Sequence, residues 1–213
     1  MKLSNIFYEH TGRNSGKWKH YFDYYDRHLE RFIGKQFTLL EIGTCYGGSL
    51  QIWKKYFGPN VKIIGIDIDP RTKFEEPQIY TEVGSQSDPE FLATILNRYG
   101  TPDVIIDDGS HIQNDVMSSF INLYPRLNDG GVYVIEDTHT SLWSGYNGGI
   151  KNPNNFVEIA SRFAMDVNRE FAEEHYVTSI PDLKEICFYN SMIFIEKQKT
   201  LKAEPCYVGT NSY

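Results

Sequence analysis

The sequence predicts an α/β fold: a mostly parallel sheet with helices on both faces and an antiparallel finish. Three observations predict it. Short apolar, β-branched runs alternate with segments of helical periodicity along the first two thirds of the chain. Four of these runs end in acids, at the carboxyl ends of strands, where the loops of a parallel sheet build a binding crevice. The first run opens into a small-residue turn, Glu41-Ile42-Gly43-Thr44-Cys45-Tyr46-Gly47-Gly48-Ser49. Glycines at a strand-to-helix turn let a ligand approach the backbone and the first N–H groups of the helix. The pattern is Glu-x-Gly-x-x-x-Gly-Gly-Ser. It is not the dinucleotide-binding Gly-x-Gly-x-x-Gly, because Cys45 and Tyr46 stand where glycine is needed.

The 213 residues fit one α/β domain with some elaboration. A hydrophobic share of 40% with 15% aromatics supports a sizeable core. The formal charge of −7 argues against broad binding to nucleic acid or anionic membrane. Cys45, Cys187 and Cys206 are odd in number and widely spaced, so neither a disulfide framework nor a zinc motif is expected, and a cytoplasmic location is. No signal peptide or membrane span is expected either.

Residues 1–35 are polar, aromatic and basic, with a helical pattern from Trp18 to Phe32 in which Tyr21, Tyr24, Tyr25, His28 and Phe32 recur three or four apart. This segment is expected to pack on the edge of a single domain or to form a flap, ahead of a main unit over 36–213. The first strand runs from Phe37, and a helix follows over Leu50–Phe57. Val61–Asp69 is a second strand closed by Pro70. Its acid Asp67 is placed to hydrogen-bond a ribose. Gln78–Val83 is the third strand. Asp88 caps a helix that has Pro89 at its first position and runs to Arg98. Asp103–Asp107 is the fourth strand, followed by Asp108-Gly109-Ser110-His111 and a helix over Gln113–Leu123. Asp129-Gly130-Gly131 turns into the fifth strand, Val132–Ile135, which ends in Glu136-Asp137. A long helix is predicted from Asn155 to His175, then two short antiparallel strands, Leu183–Phe188 and Ser191–Glu196.

Asp108, His111, Glu136 and Asp137 come from two strand ends that a parallel sheet can bring together. Three converging carboxylates suit a hard divalent cation, with Mg²⁺ the best match. Such an ion leaves positions for substrate oxygens and lowers a hydroxyl's pKa. His111, in the same loop as Asp108, can take the released proton, because imidazole titrates near neutral pH. The plainer alternative is a set of solvated loop acids with His111 as a helix cap. A single such residue favours that alternative, and four at matched strand ends favour the site.

Leu40-Glu41-Ile42-Gly43 followed by Gly47-Gly48-Ser49, Asp67 closing the second strand, and Asp107-Asp108-Gly109-Ser110-His111 resemble class I S-adenosylmethionine-dependent methyltransferases, whose sheet is Rossmann-like. Lys17-Trp18, Ser87–Phe91, Tyr133–Asp137 and Ser141–Tyr146 are similar to one branch. That branch is the metal-dependent sugar O-methyltransferases of macrolide and glycoside tailoring, of mycinamicin and elloramycin type, akin to the cephalosporin hydroxylase-like group. The resemblance spans roughly residues 12–150. It implies that Lys17, Glu41, Gly43, Ser49, Asp67, Gln86, Ser87 and Asp107 bind S-adenosylmethionine. It implies that Asp108, Glu136 and Asp137 hold Mg²⁺ and that His111 is the base. That branch carries a separate N-terminal auxiliary domain, whereas only a short segment precedes Phe37 here.

The resemblance thus implies O-methylation of a sugar hydroxyl on a glycoside, nucleotide sugar or polysaccharide. Its rivals are methylation of a catechol-like small molecule, a non-catalytic nucleoside-binding module, and a nicotinamide-dependent oxidoreductase. The expected partner is a small-molecule or glycan acceptor, with no nucleic acid and no membrane; a homo-oligomer is allowed.

Overall fold

Apolar runs that alternate with amphipathic helices form one eight-stranded sheet, which the computed structural model describes over residues 2–172, 180–199 and 203–209. The strands are β1 (Phe37–Ile42), β2 (Val61–Asp67), β3 (Glu75–Glu76), β4 (Ile79–Val83), β5 (Val104–Asp107), β6 (Val132–Ile135), β7 (Leu183–Tyr189) and β8 (Met192–Lys197). Their order across the sheet is β3-β4-β2-β1-β5-β6-β8-β7. Strands β4, β2, β1, β5 and β6 pair in parallel, and β8 joins β6 antiparallel, with Val134 opposite Phe194. The chain lays β2 and β4 on one side of β1, then crosses to lay β5 and β6 on the other. That reversal opens a crevice beyond the carboxyl ends of β1 and β5.

The period of two along each strand divides the core in two. Leu39, Ile63, Val104, Ile106, Val134 and Phe194 face α1 (Leu3–Tyr8), α2 (Tyr21–Leu29) and α3 (Gly48–Phe57). Leu40, Ile64, Ile105, Tyr133, Ile193 and Ile195 face α4 (Pro89–Tyr99), α5 (Gln113–Leu123) and α6 (Phe156–Val167). The N-terminal segment is therefore part of the main core: Leu3, Ile6, Tyr21, Phe22 and Tyr25 are all buried there.

The local signals explain the helix ends. Asp88 accepts from the backbone N–H of Glu90 at 2.9 Å and of Phe91 at 3.2 Å, with Pro89 beginning α4. Asn155 accepts from Glu158 N–H at 2.9 Å and starts α6. The predicted helix over Trp18–Phe32 is shorter, from Tyr21 to Leu29 with a 3₁₀ turn over Glu30–Phe32. The helix predicted from Asn155 to His175 ends at Val167. There Asn168 turns its side-chain amide back onto the Ala164 carbonyl at 3.1 Å, competing with the backbone, and a 3₁₀ turn over Arg169–Phe171 follows. Residues 173–175 of that prediction lie outside the described residues. Neither α1 nor the two-residue β3 was expected. Among the described residues no helix is long and apolar enough to cross a membrane.

Gly43 is the pivot between β1 and the crevice. Its φ is +84°, and a Cβ there would come within 2.0 Å of the Asp108 carbonyl oxygen. Gly130 has a similar φ of +77° but open space around it. Gly43→Ala is expected to cost roughly 2–5 kcal/mol, strain plus steric clash. Gly130→Ala should cost the strain alone, roughly 1–3 kcal/mol. Urea unfolding of both variants checks this; equal losses would remove the close approach of the β1 and β5 loops as a constraint.

Candidate active site

Three acids stand at the ends of three adjacent strands: Glu41 in β1, Asp108 after β5 and Glu136 after β6. Carboxylates brought together in a buried place repel one another and lose hydration, so a cation must join them. Lys17 supplies it from outside the sheet. Its side chain is 7% exposed. Its Nζ donates to Asp108 Oδ2 at 2.5 Å and to Glu136 Oε1, and lies 3.9 Å from Glu41 Oε1. Burial opposes the charge of Lys17, but Asp108, Glu136 and Glu41 outweigh it and hold its pKa well above the ordinary lysine value. Burial, with Asp108 nearby, pushes Glu136 up to about 8. Burial likewise pushes Glu41 up to about 7, against the attraction of Lys17.

Helix α2 adds two phenols one turn apart. Tyr25 donates to Glu136 Oε1, and Tyr21 donates to Asp137 Oδ1 at 2.6 Å. Trp18 Nε1–H reaches the same Asp137 oxygen at 3.1 Å. The other oxygen, Oδ2, lies 3.6 Å from His111 Nε2, which is also 3.7 Å from Asp108 Oδ1. Asp108, His111 and Asp137 each offer a donor atom within 4.8 Å of the others. His111 and Asp137 both adopt left-handed backbone, at φ +59° and +52°. Such strain in residues other than glycine gathers where the surroundings over-determine a site.

Three cavities lie along the crevice, and Asp108 lines two of them. One, of about 170 Å³, lies beyond β1, β2 and β4 and is lined by Gly43, Asp67, Ile68, Ser85, Gly109 and Asp115, among others. Asp67 is held in its wall by backbone N–H groups, Cys45 on Oδ2 at 2.8 Å and Asp69 on Oδ1 at 3.0 Å. A second, of about 320 Å³, runs between the Asn14–Lys17 segment and the turn at Gly43–Tyr46, with Ser49 and Asp108 in its wall. Ser49 Oγ donates to Glu41 Oε2 at 3.0 Å. Glu41 Oε1 and Thr44 Oγ1 are buried beside it without a hydrogen-bond partner, a costly state that a polar ligand would relieve. The third, of about 350 Å³, is lined by Gly16, Lys17, Trp18, Asp108, Glu136 and Asp137.

The predicted residues divide accordingly. Gly43, Asp67, Ser49 and Lys17 line the cavities. Gln86 lines the first, but its amide is engaged inward, donating to Asp107 Oδ1 at 3.0 Å and accepting from Ser110 N–H at 2.8 Å. A Cβ on Gly109 would meet Gln86 Oε1 at 2.0 Å. Ser87 donates to Asp115 Oδ1 at 2.8 Å, which also accepts Ser110 on its other oxygen. Asp107 is enclosed behind the wall by Ser119, Gln86 and Tyr133, and burial pushes its pKa up to about 6. It braces the loop instead of facing the cavity. Glu136 is turned toward Lys17 and Tyr25, while the group that converges with Asp108 and Asp137 is His111. Tyr21 and Tyr25 were legible only as an aromatic helix face; their four-residue spacing beside the Lys17-Trp18 step was the available signal.

The fold resembles that of class I methyltransferases, and residues 40–138 match a family described as a methyltransferase domain. The chain resembles sugar O-methyltransferases in particular. It is 44% identical over 132 residues to mycinamicin VI 2''-O-methyltransferase of Micromonospora griseorubida, covering 59% of this chain and 33% of that protein. It is 42% identical over 142 residues to demethylmacrocin O-methyltransferase of Streptomyces fradiae, covering 62% and 36%. The solved structure of the mycinamycin-pathway methyltransferase MycE, in complex with Mg and SAH, superposes with a TM-score of 0.83 at 31% identity, covering 93% of this chain and 55% of that one. The chain spans about a third of the length of these two curated relatives and about half of the MycE chain.

Glu41, Asp107 and Glu136 bind protons more tightly folded than unfolded, so the folded state holds more protons above pH 4.5. Stability of the ligand-free protein is therefore expected to fall as pH rises from about 5 to about 8. Urea midpoints at pH 5.5, 6.5 and 7.5 test it; a midpoint that climbs across this range contradicts the buried-acid assignment.

Proposed function

We propose that the chain carries out S-adenosylmethionine-dependent, Mg²⁺-dependent O-methylation, with a sugar hydroxyl of a glycoside as acceptor. The observation that carries this reading is the Asp108, His111 and Asp137 cluster: Asp108 and Asp137 line a cavity suited to an acceptor, and Asp108 also lines a second cavity that shares Gly43 with one suited to a nucleoside. The solved MycE complex with Mg, SAH and mycinamycin VI, similar in fold at 29% identity, supports it.

The residues present fit both groups. Asp67, already oriented by two backbone donors, suits a ribose diol. Thr44 Oγ1, buried without a hydrogen-bond partner, and Glu41 Oε1, which has Lys17 Nζ at 3.9 Å but no hydrogen bond, suit the polar end of a methionine moiety. Asp108 and Asp137 are hard oxygen donors of the kind Mg²⁺ prefers, with Glu136 adjacent. When bound, the ion supplies a Lewis acid that orients acceptor oxygens and acidifies a hydroxyl. The chain's own groups do the rest. The acceptor oxygen would take the methyl group from the sulfonium, whose S–CH3 bond breaks to leave the thioether of S-adenosylhomocysteine, as the hydroxyl proton passes to His111 Nε2, which Asp108 and Asp137 flank. Positioning supplies most of the remaining advantage.

The mouth of the acceptor cavity is aromatic. Trp18 is 56% exposed and Trp143 is 51% exposed, with the His139 ring between them at 6.3 and 4.7 Å. Broad flat faces beside convergent polar groups suit the apolar side of a pyranose ring. The three cysteines are unpaired, which fits a reducing cytoplasm.

Asp67→Ala is expected to weaken S-adenosylmethionine binding by about 1.5–3 kcal/mol, the worth of a hydrogen bond to a charged group. Calorimetry against S-adenosylmethionine and against NAD tests it; unchanged affinity would take Asp67 out of the site, and preference for NAD would end the methyl-transfer reading. His111→Gln should lower kcat by roughly 10²–10⁴-fold while leaving donor affinity near wild type. Measured as kcat against pH, the variant should lose the wild-type acid limb. A retained turnover with an overlaid profile would reduce His111 to a structural residue.

A further inference from the structure

Lys17 sits on a strap whose two ends are anchored independently of the acids. On one side, Arg13 N–H donates to Gln51 Oε1 at 2.9 Å, its carbonyl bonds His10 Nε2 at 2.8 Å, and its guanidinium lies 4.0 Å over the Phe74 ring. Gly48 N–H donates to the Asn14 carbonyl at 3.2 Å. On the other side, α2 is locked into the core by Phe22 and Leu29. Between these anchors, Gly16 has open space where a Cβ would stand. Two side chains tie the strap to the crevice: Lys17 on Asp108, Glu136 and Glu41, and Trp18 on Asp137. The same strap walls both the second and third cavities, through Gly16 and Lys17.

A divalent ion that drew on Glu136 Oε1 or Asp108 Oδ2 would need oxygens that the Lys17 ammonium already holds. Sharing those oxygens sets two cations against each other, and their repulsion is strongest where water is excluded. We propose that Lys17 is the exchangeable resident cation of this site. Its ammonium keeps the carboxylates together, and a divalent ion displaces it, lifting the Ser15–Trp18 strap from the crevice. The exchange couples the acceptor side to the donor side, since the strap borders both cavities. It rests on the Mg²⁺-dependent reading above.

The test uses the full chain with Mn²⁺ alone, without S-adenosylmethionine or acceptor, reading free Mn²⁺ by electron paramagnetic resonance. An internal competitor weakens apparent affinity by the fraction of time that it occupies the site. Lys17→Met is therefore expected to bind Mn²⁺ roughly tenfold or more tightly than wild type, and Lys17→Arg to stay close to wild type. In wild type, hydrogen exchange over residues 14–18 should rise when Mn²⁺ is added. A lysine that merely braces the carboxylates gives the opposite sign, with weaker Mn²⁺ binding in Lys17→Met. Equal or weaker binding by that variant, or strap exchange unchanged by the ion, overturns the proposal. Should Lys17→Met fail to fold, the wild-type exchange measurement decides alone. Wild type that takes up no Mn²⁺ removes the metal-dependent reading and the exchange with it. Uptake without strap movement removes the exchange only.

Discussion

One ion-paired ammonium governs the arrangement of this crevice. Glu41, Asp108 and Glu136 arrive on β1, β5 and β6, three neighbours in the sheet, and their carboxyl ends converge by topology alone. Left to themselves these acids would repel and would take up protons. Lys17 meets all three from a segment that lies 91 residues from Asp108 and 119 from Glu136 in sequence. Removing one partner of so buried a set leaves uncompensated charge, which commonly costs about 3–5 kcal/mol. The N-terminal segment is thereby tied electrostatically to the carboxyl end of the sheet, as its aromatic residues tie it to the core.

The rest of the crevice follows from the strand reversal between β1 and β5. Because β2 and β4 lie on one side and β5 and β6 on the other, one wall carries Asp67 and the other carries Asp108 and Asp137. Gly43 and Gly109 let the walls close up. Each stands where a side chain would strike a neighbouring loop, the Asp108 carbonyl in one case and the Gln86 amide in the other. Behind that contact, Asp107, Gln86, Ser119 and Ser110 form a buried hydrogen-bonded block, so the loop that bears Asp108 and His111 is braced from beneath.

Much of this was legible in the sequence. The helix over Gln113–Leu123 and the strand over Val132–Ile135 match their predicted bounds, because turn residues and buried β-branched runs mark both ends. The converging acids were legible as strand ends, and so was the need for a cation. Which cation meets them in this structure was not, since Lys17 reads locally as one basic residue in a glycine-rich stretch. Nor could periodicity separate Asp107 from Asp108. Adjacent residues at a strand end point to opposite sides, and only the register of β5 with β1 sends Asp107 inward to Ser119 and leaves Asp108 at the crevice. The end of α6 was misjudged because the apolar pattern continues past Val167, while a single amide from Asn168 turns the backbone.

His111 and Asp137 hold an unfavourable backbone conformation that costs of order 1–3 kcal/mol each, and the structure shows what keeps them there. Thr140 Oγ1 donates to the Asp137 carbonyl at 2.8 Å and approaches the His111 carbonyl at 3.3 Å. Gln113 donates to the same His111 carbonyl at 3.0 Å. Its own oxygen accepts from Ser141 Oγ and from Phe156 N–H, each at 2.8 Å. The two strained residues are thus clamped through their backbones by one threonine and one buried glutamine, while Tyr21 and Trp18 hold Asp137 Oδ1 and leave Oδ2 facing His111. That division of labour explains how an imidazole and a carboxylate from different strand ends keep a 3.6 Å approach in a loop region. Their positions are set by a packed polar network tied to α5 and α6, not by the ion pair itself, whose net worth at a partly exposed site is small.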